Sequence, residues 1–202
     1  MADTSVDWEL ARQVATKIGD RNGAVSSYHY GTLSPDFERF TAQAEELVAE
    51  TTGLISQMGN ARGRVADRPM WIDANIESFQ RLLNPLSKKL VNPDTSLLKE
   101  FGSKASGAEM GMLLGWMSGR VLGQYDLLII EDENPEDQDI VYYVGPNVLA
   151  IEKKYGFPPE EFRLWLALHE CTHRAQFTGV PWLRDHFPVS YTHLRAHETP
   201  IN

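Results

Sequence analysis

His169-Glu170-Cys171-Thr172-His173 lies inside a stretch, Glu160 to Phe177, whose apolar residues recur at helical spacing. Histidines four positions apart share one helix face, about 5–6 Å from each other at Cβ, so His169 and His173 can converge on one cation. Two imidazoles a turn apart, with a carboxylate between them to handle a water proton, form the H-E-x-x-H arrangement that holds zinc. Glu170 is offset by about 100° from His169, so it borders the cation without taking a coordination place and suits the role of base. Cys171 is rotated roughly 200° from His169 and is a poor ligand. Phe162, Trp165, Leu166, Gln176 and Phe177 continue the histidine face, which predicts that this face is buried. The same spacing also fits neutral core histidines beside a surface glutamate.

The chain has 202 residues, 42% of them hydrophobic, and a net charge of −9. That length can bury a real core and is near the size at which one domain is the default. Basic residues never gather into a stripe: Arg62-Gly63-Arg64 and Lys88-Lys89 are short and diluted by acids, which argues against nucleic acid as a partner. The single cysteine excludes an intrachain disulfide framework, and the opening Met1-Ala-Asp-Thr-Ser has neither the basic start nor the apolar core of a signal peptide. A cytoplasmic protein is expected.

Most of the remaining signals are helical. Val6, Leu10, Val14 and Ile18 mark a first helix, with Asp7 and Glu9 early and Gly19 after it. Ser34-Pro35-Asp36 is expected to open a long helix to about Gln57, with Phe37, Phe40, Ala44, Leu47 and Val48 on one side. Gly59 to Pro69 reads as turn or loop. Trp71 to Leu90 resumes helical spacing, with a kink or break expected at Pro85. Gly145-Pro146-Asn147 starts a helix that should stop at Gly156, and Pro158-Pro159-Glu160 opens the motif helix. The short connection places these two side by side.

Glycines recur every four residues at Gly107, Gly111, Gly115, Gly119 and Gly123. Each costs a helix about 1 kcal/mol relative to alanine, so the row predicts close approach of another backbone, and the motif helix is the neighbour first considered. A membrane span fails on length, because Glu109 and Arg120 bracket only ten uncharged residues against about twenty needed. Leu127 to Ile130 and Ile140 to Val144 are short β-prone runs around an acidic linker, and they could pair as an antiparallel ribbon. The acids of that linker do not fit an EF-hand loop.

Val144-Gly-Pro-Asn147, followed by Leu168-His-Glu-Cys-Thr-His-Arg-Ala-Gln-Phe-Thr-Gly-Val-Pro-Trp-Leu183, resembles an uncharacterised bacterial family of zincin-like metallopeptidases. Many of that family's members are associated with biosynthesis of a deazaflavin coenzyme. The likeness runs loosely from the first helix to about Phe187. It implies a mainly α, zincin-like helical domain with at most a short two-stranded β element, zinc as cofactor, His169 and His173 as ligands, and Glu170 as catalytic base.

A catalytic zinc usually takes three protein ligands. The metzincin pattern would need a glycine at position 176 and a histidine at position 179, where this chain has Gln176 and Gly179. The resemblance implies instead an acidic ligand in a helix beyond Pro181-Trp182-Leu183, which leaves residues 1–188 as the truncated amino-terminal portion of a single domain. Asp185 and His186 are expected to orient a ligand imidazole rather than bind the metal. From about Val189 to residue 202 the chain resembles a peptide that recurs through translation of contaminating or misassembled DNA, so His193, His197 and Glu198 are set aside as ligands. The expected activity is zinc-dependent hydrolysis of a peptide, or of another small amide or ester. Arg174 is a candidate for orienting an anion, and Tyr142 and Tyr143 for donating to an oxyanion, with packing the preferred role of the tyrosines. The alternative is a non-catalytic helical scaffold on a degenerate or truncated zincin core.

Overall fold

The computed structural model describes residues 6–20, 29–90, 96–125 and 139–183. Its centre is one short strand. Ile140–Val144 (β3) has all five residues buried, and its alternating side chains serve opposite layers, as a pleated strand covered on both faces requires. Val141 and Tyr143 enter a core shared with Phe37, Phe40, Val48, Leu166, Ala167 and Cys171. Val144 enters another with Trp71, Ile72, Ile76 and Leu114, and Ile140 and Tyr142 pack with Ala66 beside it.

The helices supplying those layers are α1 (Trp8–Asp20), α2 (Tyr30–Thr52), α3 (Arg68–Leu90), α4 (Ser96–Ser118), α5 (Gly145–Tyr155) and α6 (Pro159–Gly179). The strands are β1 (Arg62–Ala66), β2 (Gly123–Tyr125) and β3, in spatial order β1-β3-β2. β1 runs parallel to β3, from Arg62 opposite Ile140 to Ala66 opposite Val144. β2 runs antiparallel, from Gly123 opposite Tyr143 to Tyr125 opposite Val141. A mainly α architecture is thus observed, with a three-stranded sheet where at most two strands were expected. Two of the strands were not expected: β2, which lies where the glycine row read as helix, and β1, expected as loop because Arg62-Gly-Arg-Val-Ala shows no apolar alternation. β1 forms because Gly63 lets the backbone press on α2, where a Cβ would stand 2.5 Å from Thr41 Oγ1 and 3.0 Å from Phe37 O.

Helix ends follow local chemistry. The Asp7 carboxylate accepts from Leu10 N–H at 3.0 Å and opens α1. Gly53 and Gly156, at φ 72° and 66°, close α2 and α5 in the left-handed conformation. α2 begins at Tyr30, a turn before the expected Ser34-Pro35 start, and ends at Thr52 rather than Gln57. Thr32 secures that extra turn, donating from N–H and Oγ1 to His29 O. α3 continues through Pro85 without the expected break. The run Leu127 to Ile130, with its acidic linker, lies outside the described residues.

The glycine row divides. Gly107, Gly111 and Gly115 face α1 rather than the motif helix: a Cβ on Gly111 would lie 2.5 Å from Ala11 O, and one on Gly115 would lie 2.7 Å from Ile18 Cβ. α4 ends at Ser118, Gly119 falls in a turn and Gly123 belongs to β2. Asn147 ties this corner together. Its Nδ2 donates to Ser118 O and Val121 O, both at 2.7 Å, and its Oδ1 accepts from Arg68 Nε at 2.9 Å. The Val144-Gly-Pro-Asn147 motif is therefore a structural clamp on the end of α4. Gly111→Val is expected to cost about 2–3 kcal/mol by overpacking the α1–α4 contact. Gly102→Ala in the same helix, where an added Cβ meets nothing within 4 Å, should gain about 1 kcal/mol. Opposite shifts of the thermal midpoint check the pair.

Candidate metal centre

α6 carries the motif, with Pro159 at its first position and Glu160 and Glu161 in its first turn, where acids suit the helix dipole. The expected face is buried only in part: Leu166 is in the core and Phe162 and Phe177 pack against it. His169, His173, Trp165 and Gln176 are exposed, whereas Arg163, Glu170, Cys171, Arg174 and Thr178 are buried. The expected burial of the histidine face is corrected accordingly, and so is the rival arrangement of core histidines with a surface glutamate.

Two buried guanidinium groups explain how the helix is rotated. Arg163 grips Glu152 of α5 with Nε and Nη2 at 2.8 and 2.9 Å, and reaches Asp36 and Thr32 of α2 with Nη1 at 2.6 and 3.0 Å. Arg174 holds Asp139 through Nε at 3.0 Å and Nη2 at 2.5 Å, Glu45 through Nη1 at 2.5 Å, and Gly59 O through Nη2 at 2.8 Å. A planar five-donor group fully engaged in this way cannot also orient a substrate anion, so that role is removed from Arg174. Asp139 adopts φ 56°, an uncommon conformation for a non-glycine residue that aspartate tolerates better than most.

On the outer face the rings of His169 and His173 meet edge to face with centroids 4.8 Å apart. Burial, and then the neighbouring His173, lower the pKa of His169, favouring the neutral imidazole that a metal needs. The two rings share one stretch of the exposed face of α6. Among the described residues no group of three or more His, Cys, Asp or Glu side chains could hold a metal. Asp185, His186, His193, His197 and Glu198 lie outside the described residues. A run of stacked rings, Tyr155, Phe157, Phe162 and Trp165, leads along the surface to His169, with successive centroids 5.1 to 6.1 Å apart.

Glu170, offset by about 100° from His169 around the helix, is only 5% exposed. Burial pushes its carboxyl from the ordinary 4.5 up to about 7, partly offset by a hydrogen bond from the Tyr125 N–H. Cys171 is enclosed with its Sγ 3.7 Å from Thr41 O, and burial pushes the thiol up to about 12, so it is neither ligand nor nucleophile. Tyr143 hydrogen-bonds Thr41 at 2.8 Å and stacks on Phe37 at 3.9 Å. Tyr142 is buried on the other side of the sheet. Both tyrosines are buried packing residues. Tyr125 and Asp139 were not expected at the site. A lone tyrosine two residues past a glycine and one acid among many carried no spacing signal.

A sequence family described as zincin-like metallopeptidase matches residues 6–199. A crystal structure from Chloroflexus aurantiacus, of a protein provisionally named a hydrolase with a novel fold, is 33% identical with a TM-score of 0.69. The match covers 90% of this chain and 56% of that one, so the chain spans little more than half the length of its solved relative. No functionally curated protein matches. With the helical motif, the fold and the match over nearly its whole length in agreement, the chain belongs to the zincin-like metallopeptidase family.

Proposed function

We propose that the chain is the histidine-bearing part of a zinc-dependent hydrolase of metallopeptidase type, with His169 and His173 as two zinc ligands and Glu170 as general base. One observation carries this reading. A single helical turn presents two touching imidazoles outward and holds the intervening carboxyl buried, with its pKa near 7. A helix glutamate without a task would lie in solvent, ionised far below that range, whereas a base works best when its pKa lies near the operating pH.

Zinc, when bound, would polarise the substrate carbonyl and acidify water. The chain's own residues do the rest. His169 and His173 would supply ring nitrogens as ligands. Glu170 accepts a proton from water and returns it to the leaving group, while Tyr125 N–H steadies its carboxylate. Three protein ligands leave a catalytic position open, and an acidic residue in a helix after Pro181-Trp182-Leu183 is proposed as the third. Asp185 and His186 remain proposed as groups that orient a ligand imidazole. A peptide amide is the first substrate class, supported by the family match, with other small amides or esters next. No described helix is long and apolar enough to cross a membrane. A cytoplasmic setting is proposed, where the lone, enclosed Cys171 needs no disulfide partner.

His169→Ala or His173→Ala should abolish stoichiometric zinc uptake measured by elemental analysis, and full occupancy in either variant would remove the ligand assignment. Glu170→Gln should keep the zinc and lower hydrolysis of a peptide library by about a hundredfold or more. Zinc uptake by the wild type with no hydrolysis would favour the scaffold reading.

The metal-free protein should also show a pH signature. The folded pKa of Glu170 is raised, so its contribution to stability is fully present below the ordinary 4.5 and is lost as pH rises to about 7. Glu170→Gln lacks this titration. Denaturant unfolding should show the variant gaining on the wild type across that window, by at most about 3 kcal/mol. A constant difference would mean that the carboxyl is not desolvated.

A further inference from the structure

Gly123 has the spacing of the helix glycines but sits in β2, against the carboxyl of Glu170. A Cβ built on it would lie 2.7 Å from Glu170 Oε1, 2.8 Å from Cγ and 2.9 Å from Cδ. The three nearest atoms all belong to one side chain, and real Cβ contacts do not come this close. The ladder explains the approach. Val144 N–H donates to Leu122 O at 2.8 Å, and in an antiparallel pair hydrogen-bonded and non-hydrogen-bonded positions alternate. The backbone groups of Gly123 and Tyr125 therefore turn away from β3, and the Tyr125 N–H donates to Glu170.

A second tie holds the strand one helical turn farther along. The Tyr125 hydroxyl donates to Asp139 Oδ1 at 3.1 Å, and the same carboxylate is gripped by Arg174. β2 is thus fastened to α6 at Glu170 and, through Asp139, at Arg174. Two residues before Tyr125 the strand comes so close that a Cβ at position 123 would displace the Glu170 carboxyl from where it stands.

We propose that Gly123 is a positioning residue for Glu170. Its bare Cα and the adjacent Tyr125 N–H form a backbone cradle that sets where the carboxylate stands. The inference rests on the reading of Glu170 as base for its catalytic meaning, but the contact itself can be tested without metal or substrate.

The test is a double-mutant cycle on the full metal-free chain, with Gly123→Ala made in the wild type and in Glu170→Ala. Gly123→Ala should lower the thermal midpoint by about 5 °C in the wild type, and by under about 1 °C once Glu170→Ala has removed the obstructing atoms. Equal losses in both backgrounds, or failure to fold in both, would overturn the proposal. In zinc-loaded protein, Gly123→Ala should leave metal content unchanged and lower kcat about a hundredfold, with KM within about twofold. A kcat equal to that of the wild type would overturn the positioning role. Absence of hydrolysis in the wild type would count against the hydrolase reading, while the thermal cycle still accepts or rejects the cradle.

Discussion

The buried pairing of Arg174 with Asp139 and Glu45 fixes how α6 is rotated, and the chemistry of the helix follows from that angle. Guanidinium groups are costly to dehydrate, and breaking one such pair by removing a partner typically costs about 3–5 kcal/mol. Arg174 and Arg163 both point inward, so the helix cannot turn its histidines into the core without stripping both cations of their partners. Charged groups share the buried side of α6 with Leu166, Ala167 and Ala175, while Trp165 and the imidazoles face outward. Such an arrangement contributes specificity of orientation more than net stability.

That rotation gives adjacent residues opposite environments. His169 and His173 stand in a wet, aromatic-lined surface where a cation can arrive, while Glu170 is held where water is scarce and its proton affinity rises. A motif of five residues thereby joins two dielectric regimes on one helix. β2 completes the division by bringing backbone, rather than another side chain, to the carboxylate.

Much of this was legible in the sequence. The extent of α6, the Gly156 stop of α5 and the mainly helical class followed from periodicity and caps, because those signals are local. The rotation of α6 did not. Counting aromatic residues as core and arginines as surface assigns Trp165 inward and Arg174 outward, and only partners far along the chain, Glu45 and Asp139, reverse both. β1 was illegible for a related reason: its pairing comes from β3 and its burial from Gly63 against Thr41, and neither partner lies near it in sequence. Gly123 was misplaced because a four-residue spacing continued past the end of its helix.

The parallel pair of β1 and β3 bears on how the molecule is made. Arg62 must find Ile140 across a connection that holds α3, α4 and β2, a non-local closure of the kind that slows folding. On the ribosome the sheet can close before α6 has emerged. The surface lined by Phe37, Val141 and Tyr143 then stays uncovered until the last described helix is synthesised. Closure of that side of the core therefore waits on Leu166, Ala167 and Cys171, the part that α6 contributes.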